Sequence, residues 1–169
     1  GFEALLRWNN AELGDVRPND FIPVAEETGL MLPIGDWVLR TACAQFKVWV
    51  DEGLKNARIA VNISGLQFMQ RNFAAQVIAI LQQTGLPPQC LELEVTESVI
   101  MKDEVWTRDI LARFKELGIA IAIDDFGTGY SSLSKLRDFA FDRLKIDREF
   151  INQRTIIKMA QMLGVDVVA

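Results

Sequence analysis

The sequence contains no histidine and only 2 cysteines among its 169 residues. Without histidine, Ser-His-Asp triads, His-ligated zinc and imidazole proton shuttles are excluded, so a general base has to be a carboxylate, a lysine or a metal-activated water. Cys43 and Cys90 are too few for a thiolate zinc site and lie beside apolar residues. This favours reduced, structural cysteines and a cytoplasmic location.

Long apolar runs and an excess of positive charge are also missing. No run approaches the roughly 18 residues that span a bilayer, and the first residues do not resemble a signal peptide. We therefore expect any membrane anchor of the parent protein to lie outside this segment. A net charge of -5 disfavours binding to polymeric nucleic acid, but it permits a small phosphate-bearing ligand held by a metal.

Short β-branched runs alternate with longer amphipathic stretches, which is typical of successive βα units around a parallel sheet. Closed barrels of this kind usually need about 250 residues, so the pattern predicts an α/β fold of the TIM-barrel type that is incomplete in this chain. Helices are predicted over 21–27, 34–50, 73–83, 105–117, 131–136 and 156–163, and strands over 58–63, 91–95, 119–123, 143–146 and 165–169.

Five polar residues fall at or just beyond the ends of predicted strands. They are expected to meet at one edge of the sheet, because the carboxyl ends of parallel strands share an edge. Taken singly, each has an ordinary explanation as a turn residue, a cap or a solvated strand end. The five are Asn62, Glu94, Asp124, Asp125 and Lys145.

Together, these carboxylates and the amide would repel one another unless a cation lay between them. Oxygen donors without histidine or cysteine favour Mg²⁺ or Mn²⁺. Asp124 and Asp125 can each take one metal, or one of them can bridge two. Lys145 has two interpretations: it contacts a polarised water or a phosphoryl oxygen, or it forms an internal ion pair with Asp124.

A series of motifs in fixed order resembles the EAL family, whose members hydrolyse or bind cyclic di-GMP. The tripeptide Glu3-Ala4-Leu5 alone is uninformative, but the series covers nearly the whole chain, and the run from Asp124 to Leu133 is highly specific. The further motifs are Leu6-Arg7-Trp8, Phe21-Ile22-Pro23, Ala25-Glu26, Val61-Asn62-Ile63-Ser64, Leu93-Glu94-Val95-Thr96-Glu97-Ser98, Asp124-Asp125-Phe126-Gly127-Thr128-Gly129-Tyr130-Ser131-Ser132-Leu133 and Leu144-Lys145-Ile146-Asp147.

The resemblance implies a modified (β/α)₈ barrel with one antiparallel strand, and cleavage of cyclic di-GMP to the linear dinucleotide pGpG with the help of two ions. It also implies that Asp125 to Ser131 form a loop linked to the second metal and to homodimerisation. The implied roles are first-metal ligands for Glu3, Asn62, Glu94 and Asp124, second-metal ligands for Asp124 and Asp125, contact with the attacking water for Lys145, support of that loop for Glu97, and contact with the substrate phosphate for Arg7.

Residues 1–169 are interpreted as one EAL-type domain. Its first strand and its closing unit, which includes a final metal-ligating glutamate, are expected outside this segment. A family loop is expected to be missing between Gln153 and Arg154. Ca²⁺ is expected to inhibit, because its looser coordination would misplace the water.

Three function classes follow. A metal-dependent cyclic di-GMP phosphodiesterase of bacterial signalling, with sensor or cyclase domains elsewhere in the parent protein, is favoured because every expected site residue in this segment is intact. An inactive cyclic di-GMP receptor would normally show a substituted metal ligand. A scaffold without nucleotide affinity is disfavoured, because clustered carboxylates without a cation are costly.

Overall fold

A computed structural model describes residues 1–126, 139–146 and 166–168. The chain divides into two compact units, Gly1–Pro87 and Pro88–Ala169. None of the described helices is both long and apolar enough to cross a membrane.

The first unit combines one parallel strand pair, a separate antiparallel hairpin and four helices. Strand β1 pairs in parallel with β4, and Glu3 is in register with Ala60. Strands β2 and β3 form the hairpin. The elements are β1 (Phe2–Ala4), β2 (Trp8–Asn10), β3 (Gly14–Val16), α1 (Pro18–Glu27), α2 (Met31–Asp51), β4 (Ile59–Asn62), α3 (Gly65–Phe68) and α4 (Phe73–Thr84).

Helix α2 is the longest element, and it confirms the predicted helix while extending it at both ends. Its buried face carries Leu39, Cys43 and Phe46 at the three-to-four spacing of an amphipathic helix. The chain leaves the helix through Gly53, whose φ of 106° suits glycine. Both cysteines are free, as expected.

A close contact fixes the turn that follows β4. The Ser64 side chain accepts from the Gln67 backbone N–H at 3.3 Å, and Gln67 Oε1 accepts from the Ser64 backbone N–H at 3.3 Å, which makes a capping box for α3. The Gln67 side chain is buried against Gly35 of α2, where any β-carbon would overlap its carboxamide. The absence of a side chain at Gly35 therefore allows this turn to pack against α2.

In the second unit, strands β5, β6, β7 and β8 pair in that order, and all three pairings are parallel. Helix α6 buries Ile110, Leu111 and Phe114 on one face. The family's antiparallel strand is not among the described pairs of this sheet. The elements are a 3₁₀ turn (Pro88–Cys90), β5 (Leu91–Thr96), α5 (Glu97–Ile100), α6 (Glu104–Glu116), β6 (Ala120–Phe126), β7 (Arg143–Ile146) and β8 (Asp166–Val168).

The structure corrects one expectation and adds one element. Strand β6 runs on to Phe126, so Asp124 and Asp125 lie inside the strand and not beyond it. The hairpin of β2 and β3 was not predicted from the sequence. The predicted helices 131–136 and 156–163 and the junction between Gln153 and Arg154 lie outside the described residues.

Candidate active site

In the first unit, the predicted ligands Glu3 and Asn62 come together. Glu3 lies in β1 and Asn62 ends the neighbouring strand β4. Asn62 Nδ2 donates to Glu3 Oε1 at 2.9 Å. This bond orients the carboxamide, and Asn62 directly precedes the Ile63–Ser64 turn held by the capping box.

Arg7 follows β1, the strand that contains Glu3 and Ala4, and is exposed. Its Nη1 donates to the Leu6 carbonyl oxygen at 2.8 Å, which leaves further guanidinium donors for a ligand. Arg7 and Glu3 line the same concavity of about 470 Å³, together with Trp37 and Trp49 of α2. A phosphate contact by Arg7 is compatible with this position.

In the second unit, Lys145 joins Glu94 and Asp124. Its Nζ donates to Glu94 Oε2 at 2.8 Å and to Asp124 Oδ2 at 3.1 Å. The Glu94 side chain is only 3% exposed, whereas Lys145 and Asp124 keep 23% and 22%. The ion pair with Asp124 foreseen as one interpretation of Lys145 is therefore present, and Glu94 is a second partner that was not foreseen.

The charges of this group leave one carboxylate in excess, because two carboxylates share one ammonium. Burial by itself lowers the pKa of Lys145, but hydrogen bonds and charge from Glu94 and then Asp124 outweigh it and raise the pKa above its ordinary value. Lys145 is thus a cation at neutral pH. It can donate to a water or a phosphoryl oxygen, but it cannot serve as a general base.

A β-bulge in β6 determines the positions of the adjacent residues Asp124 and Asp125. Ile123 pairs with Leu144 and Phe126 with Ile146, so β6 takes three steps where β7 takes two. Phe126 thereby returns to the buried face of Ile123, and Asp125 is the exposed inserted residue with a φ of 53°. Asp124 Oδ1 accepts from the Asp125 backbone N–H at 2.9 Å.

Glu97 begins helix α5 and is only 2% exposed. The loop that it is predicted to support, Asp125 to Ser131, has its first two residues in β6 and otherwise lies outside the described residues, so this role remains a prediction. Its burial shows that any substitution at Glu97 also perturbs packing next to β5.

Sequence reasoning missed a further ionic contact in this unit, that of Arg143 with Glu92. Arg143 Nη1 donates to both carboxylate oxygens of Glu92, at 2.7 and 2.8 Å. The available signal was the alternation of charged and apolar residues in Leu91–Val95 and in Arg143–Ile146, which puts each charged pair on one face of its strand.

The donor atoms near these strand ends are chemically suited to a hard divalent cation, because they are carboxylate and carboxamide oxygens. Within the described parts of the chain, no three acidic, cysteine or histidine side chains are grouped closely enough to hold a metal. The excess carboxylate around Lys145 nevertheless fits an added positive charge.

Comparisons with known proteins agree with the motifs. The EAL domain model matches residues 1–169. MucR of Pseudomonas aeruginosa, a bifunctional diguanylate cyclase/cyclic di-GMP phosphodiesterase, is 47% identical over 153 residues, which cover 90% of this chain and 22% of MucR. A cyclic di-GMP phosphodiesterase of the same species is 39% identical over 180 residues, covering 100% of this chain and 30% of that protein. The chain thus spans less than a third of these curated relatives.

The solved structure of PaMucR phosphodiesterase in complex with c-di-GMP matches 99% of this chain and 72% of its own, with a TM-score of 0.93 and 42% identity. This match confirms the predicted fold class, a TIM-type barrel that is incomplete in this chain. Sequence motifs, the family match and the structural match therefore lead to one assignment: the chain belongs to the EAL domain family.

Proposed function

We propose that this chain hydrolyses one phosphodiester bond of cyclic di-GMP and yields linear pGpG, in a reaction that requires Mg²⁺ or Mn²⁺. The observation that carries the proposal is the contact of Lys145 with Glu94 and Asp124, at 2.8 and 3.1 Å, next to the bulge with Asp125. The proposal is supported by 39% identity to a cyclic di-GMP phosphodiesterase across the whole chain.

The proposed ligands are Glu94, Asp124 and Asp125 in the second unit and Glu3 and Asn62 in the first. When bound, the divalent ions would acidify water and stabilise charge on the phosphate. The chain's own residues have separate tasks. Asn62 and Glu3 orient each other through their hydrogen bond, and Glu94 and Asp124 hold the ammonium of Lys145.

Lys145 is proposed to donate a hydrogen bond to the attacking water or to a phosphoryl oxygen as negative charge develops there. A buried carboxylate on one side, Glu94, and a partly exposed one on the other, Asp124, fix this donor before substrate arrives. Arg7 is proposed to hold a phosphate of the substrate as a charged donor.

Lys145→Met tests this role, because it keeps an apolar side chain of similar length and removes the charge. Turnover should fall by about 10² to 10⁴-fold, the range expected for one group that acts on proton transfer or developing charge. Binding of cyclic di-GMP in Ca²⁺, where hydrolysis should be blocked, should change little. Lys47→Met is the matched control, since Lys47 pairs with Asp51 within α2.

The assay is separation of cyclic di-GMP from pGpG after incubation with Mg²⁺, Mn²⁺, Ca²⁺ or chelator, and the binding measurement is calorimetric titration. Full turnover in metal-free buffer would refute the metal requirement. Tight binding without hydrolysis under every metal condition would instead identify a receptor. Additional domains in the parent protein, homodimerisation and a cytoplasmic location remain proposals.

A further inference from the structure

A second ionic layer lies next to the Lys145 group in the second unit. Arg143 Nη1 contacts both oxygens of Glu92, whose side chain is 2% exposed, while the Arg143 side chain keeps 29% exposure. The roles considered so far involve neither residue. The pair is nevertheless too buried to be an ordinary surface ion pair.

The two layers follow from the register of three strands. Glu92 and Glu94 are two residues apart on β5, and Arg143 and Lys145 are two residues apart on β7, so each strand puts both charges on one face. Residues on neighbouring levels of one face are therefore about 7 Å apart along the strand.

Strand β6 lies between β5 and β7 and carries alanine at the levels of Glu92, Glu94 and Arg143, whereas Lys145 lies opposite the bulge. Ala120 is in register with Glu92, and Ala122 is in register with both Glu94 and Arg143. Because these methyl groups are short, side chains from β5 and β7 can meet above the intervening strand. Strands β5, β6 and β7 thus hold three carboxylates and two cations on one face, and β8 places Asp166 in register with Arg143.

With three carboxylates and two cations, the pairing has to be specified. We propose that Arg143 is a positioning residue: by occupying Glu92, it leaves the Lys145 ammonium to Glu94 and Asp124. The functional part of this inference rests on the proposed function of Lys145. When the charge of Arg143 is removed, the Glu92 carboxylate remains buried without the counter-charge that offset its desolvation. Lys145 is the nearest cation on the same face of β7, so we expect its ammonium to move toward Glu92.

Arg143→Met provides the first test, because methionine keeps an apolar stem and removes the charge. The kcat for cyclic di-GMP should fall by about 10²-fold, the cost of moving a catalytic group by about 1 Å, while KM changes little. Arg113→Met, at an exposed position of α6, is the matched control and should leave kcat unchanged.

The double variant Glu92→Gln/Arg143→Met separates positioning from a general structural effect. It removes the competing carboxylate together with its partner, so kcat should return to within about threefold of wild type. A purely structural pair predicts no recovery. A folded double variant as slow as Arg143→Met would overturn the inference. If Arg143→Met alone does not fold, the double variant is compared with wild type, and a kcat about 10²-fold below wild type would overturn the inference.

A crystal structure of Arg143→Met gives a readout that does not depend on activity. Lys145 Nζ should lie within hydrogen-bond distance of Glu92 and should have left Asp124. If wild-type protein does not hydrolyse cyclic di-GMP, the proposed function fails, but this structure still tests the pairing. If Lys145 stays on Glu94 and Asp124 in the variant, the positioning inference is wrong, whatever the wild-type activity.

Discussion

Replacing Gly35 by alanine should destabilise the protein, although helix propensity alone predicts the opposite. Gly35 lies inside α2, where alanine is favoured over glycine by about 1 kcal/mol. The structure, however, puts the Gln67 carboxamide where the new methyl group would be. The sign of the effect therefore depends on whether Gln67 can move without loss.

Gln67 is 3% exposed and is tied to Ser64 by the capping box, so moving it has two costs. Losing the cap costs about 1 kcal/mol. Leaving a buried amide group without its hydrogen bonds costs about 1–3 kcal/mol more. After the helix gain is subtracted, Gly35→Ala should lower the free energy of unfolding by about 1–3 kcal/mol.

A double-mutant cycle measured by urea unfolding tests this reasoning. In a Gln67→Ala background the carboxamide is gone, so Gly35→Ala should raise the free energy of unfolding by up to about 1 kcal/mol. The m-value should stay constant across the four proteins. A stabilisation of about 1 kcal/mol in both backgrounds would show that propensity dominates and that the contact with Gln67 is unimportant.

Three further results are expected. Burial raises the pKa of Cys43 from 9.0 to about 12, so a thiol reagent at pH 8 should modify Cys90 quickly and Cys43 only on unfolding. As pH rises between these two pKa values, the free energy of unfolding should fall progressively, because the thiol ionises more readily in the unfolded chain. Rapid modification of both thiols in the folded protein would contradict this. Ala122→Leu should lower the free energy of unfolding by about 1–3 kcal/mol, because a larger side chain obstructs both ion pairs across β6. An unchanged urea midpoint would argue against the layered arrangement. Asp125→Gly should have a melting temperature close to that of wild type but should lose hydrolysis. Asp125→Val should have a lower melting temperature, because valine resists a φ of 53°. The reverse order of melting temperatures would refute the backbone argument.

The sequence predicts those elements that have a long and regular pattern. Helix α2 repeats its apolar residues over five turns, and the four residues of β7 match the predicted strand at both ends. The hairpin of β2 and β3 has strands of only three residues, and half of these residues are polar, so periodicity carries no signal there. Its turn relies on Asn10, whose side chain accepts from the Glu12 and Leu13 backbone N–H groups.

The candidate site was only partly predictable, for a related reason. Glu94, Asp124 and Lys145 stand out as charged residues in apolar strands. Glu3, in contrast, lies in a strand of three residues and was identified by family resemblance alone. The contact between Arg143 and Glu92 joins residues 51 positions apart on strands that are not neighbours, so it required the pairing order of the sheet.

The bulge in β6 also has a consequence for how this strand is encoded. Without Asp125, the order Ile121, Ala122, Ile123, Asp124, Phe126 would alternate without interruption between the buried apolar face and the opposite face. Strand β6 therefore contains one residue, and its gene one codon, more than regular pairing with β7 requires. An in-frame deletion of that codon should leave a regular, well-paired strand. On the proposed function, loss of the second aspartate by a single deletion is therefore an accessible evolutionary route from a hydrolase to a folded, inactive relative.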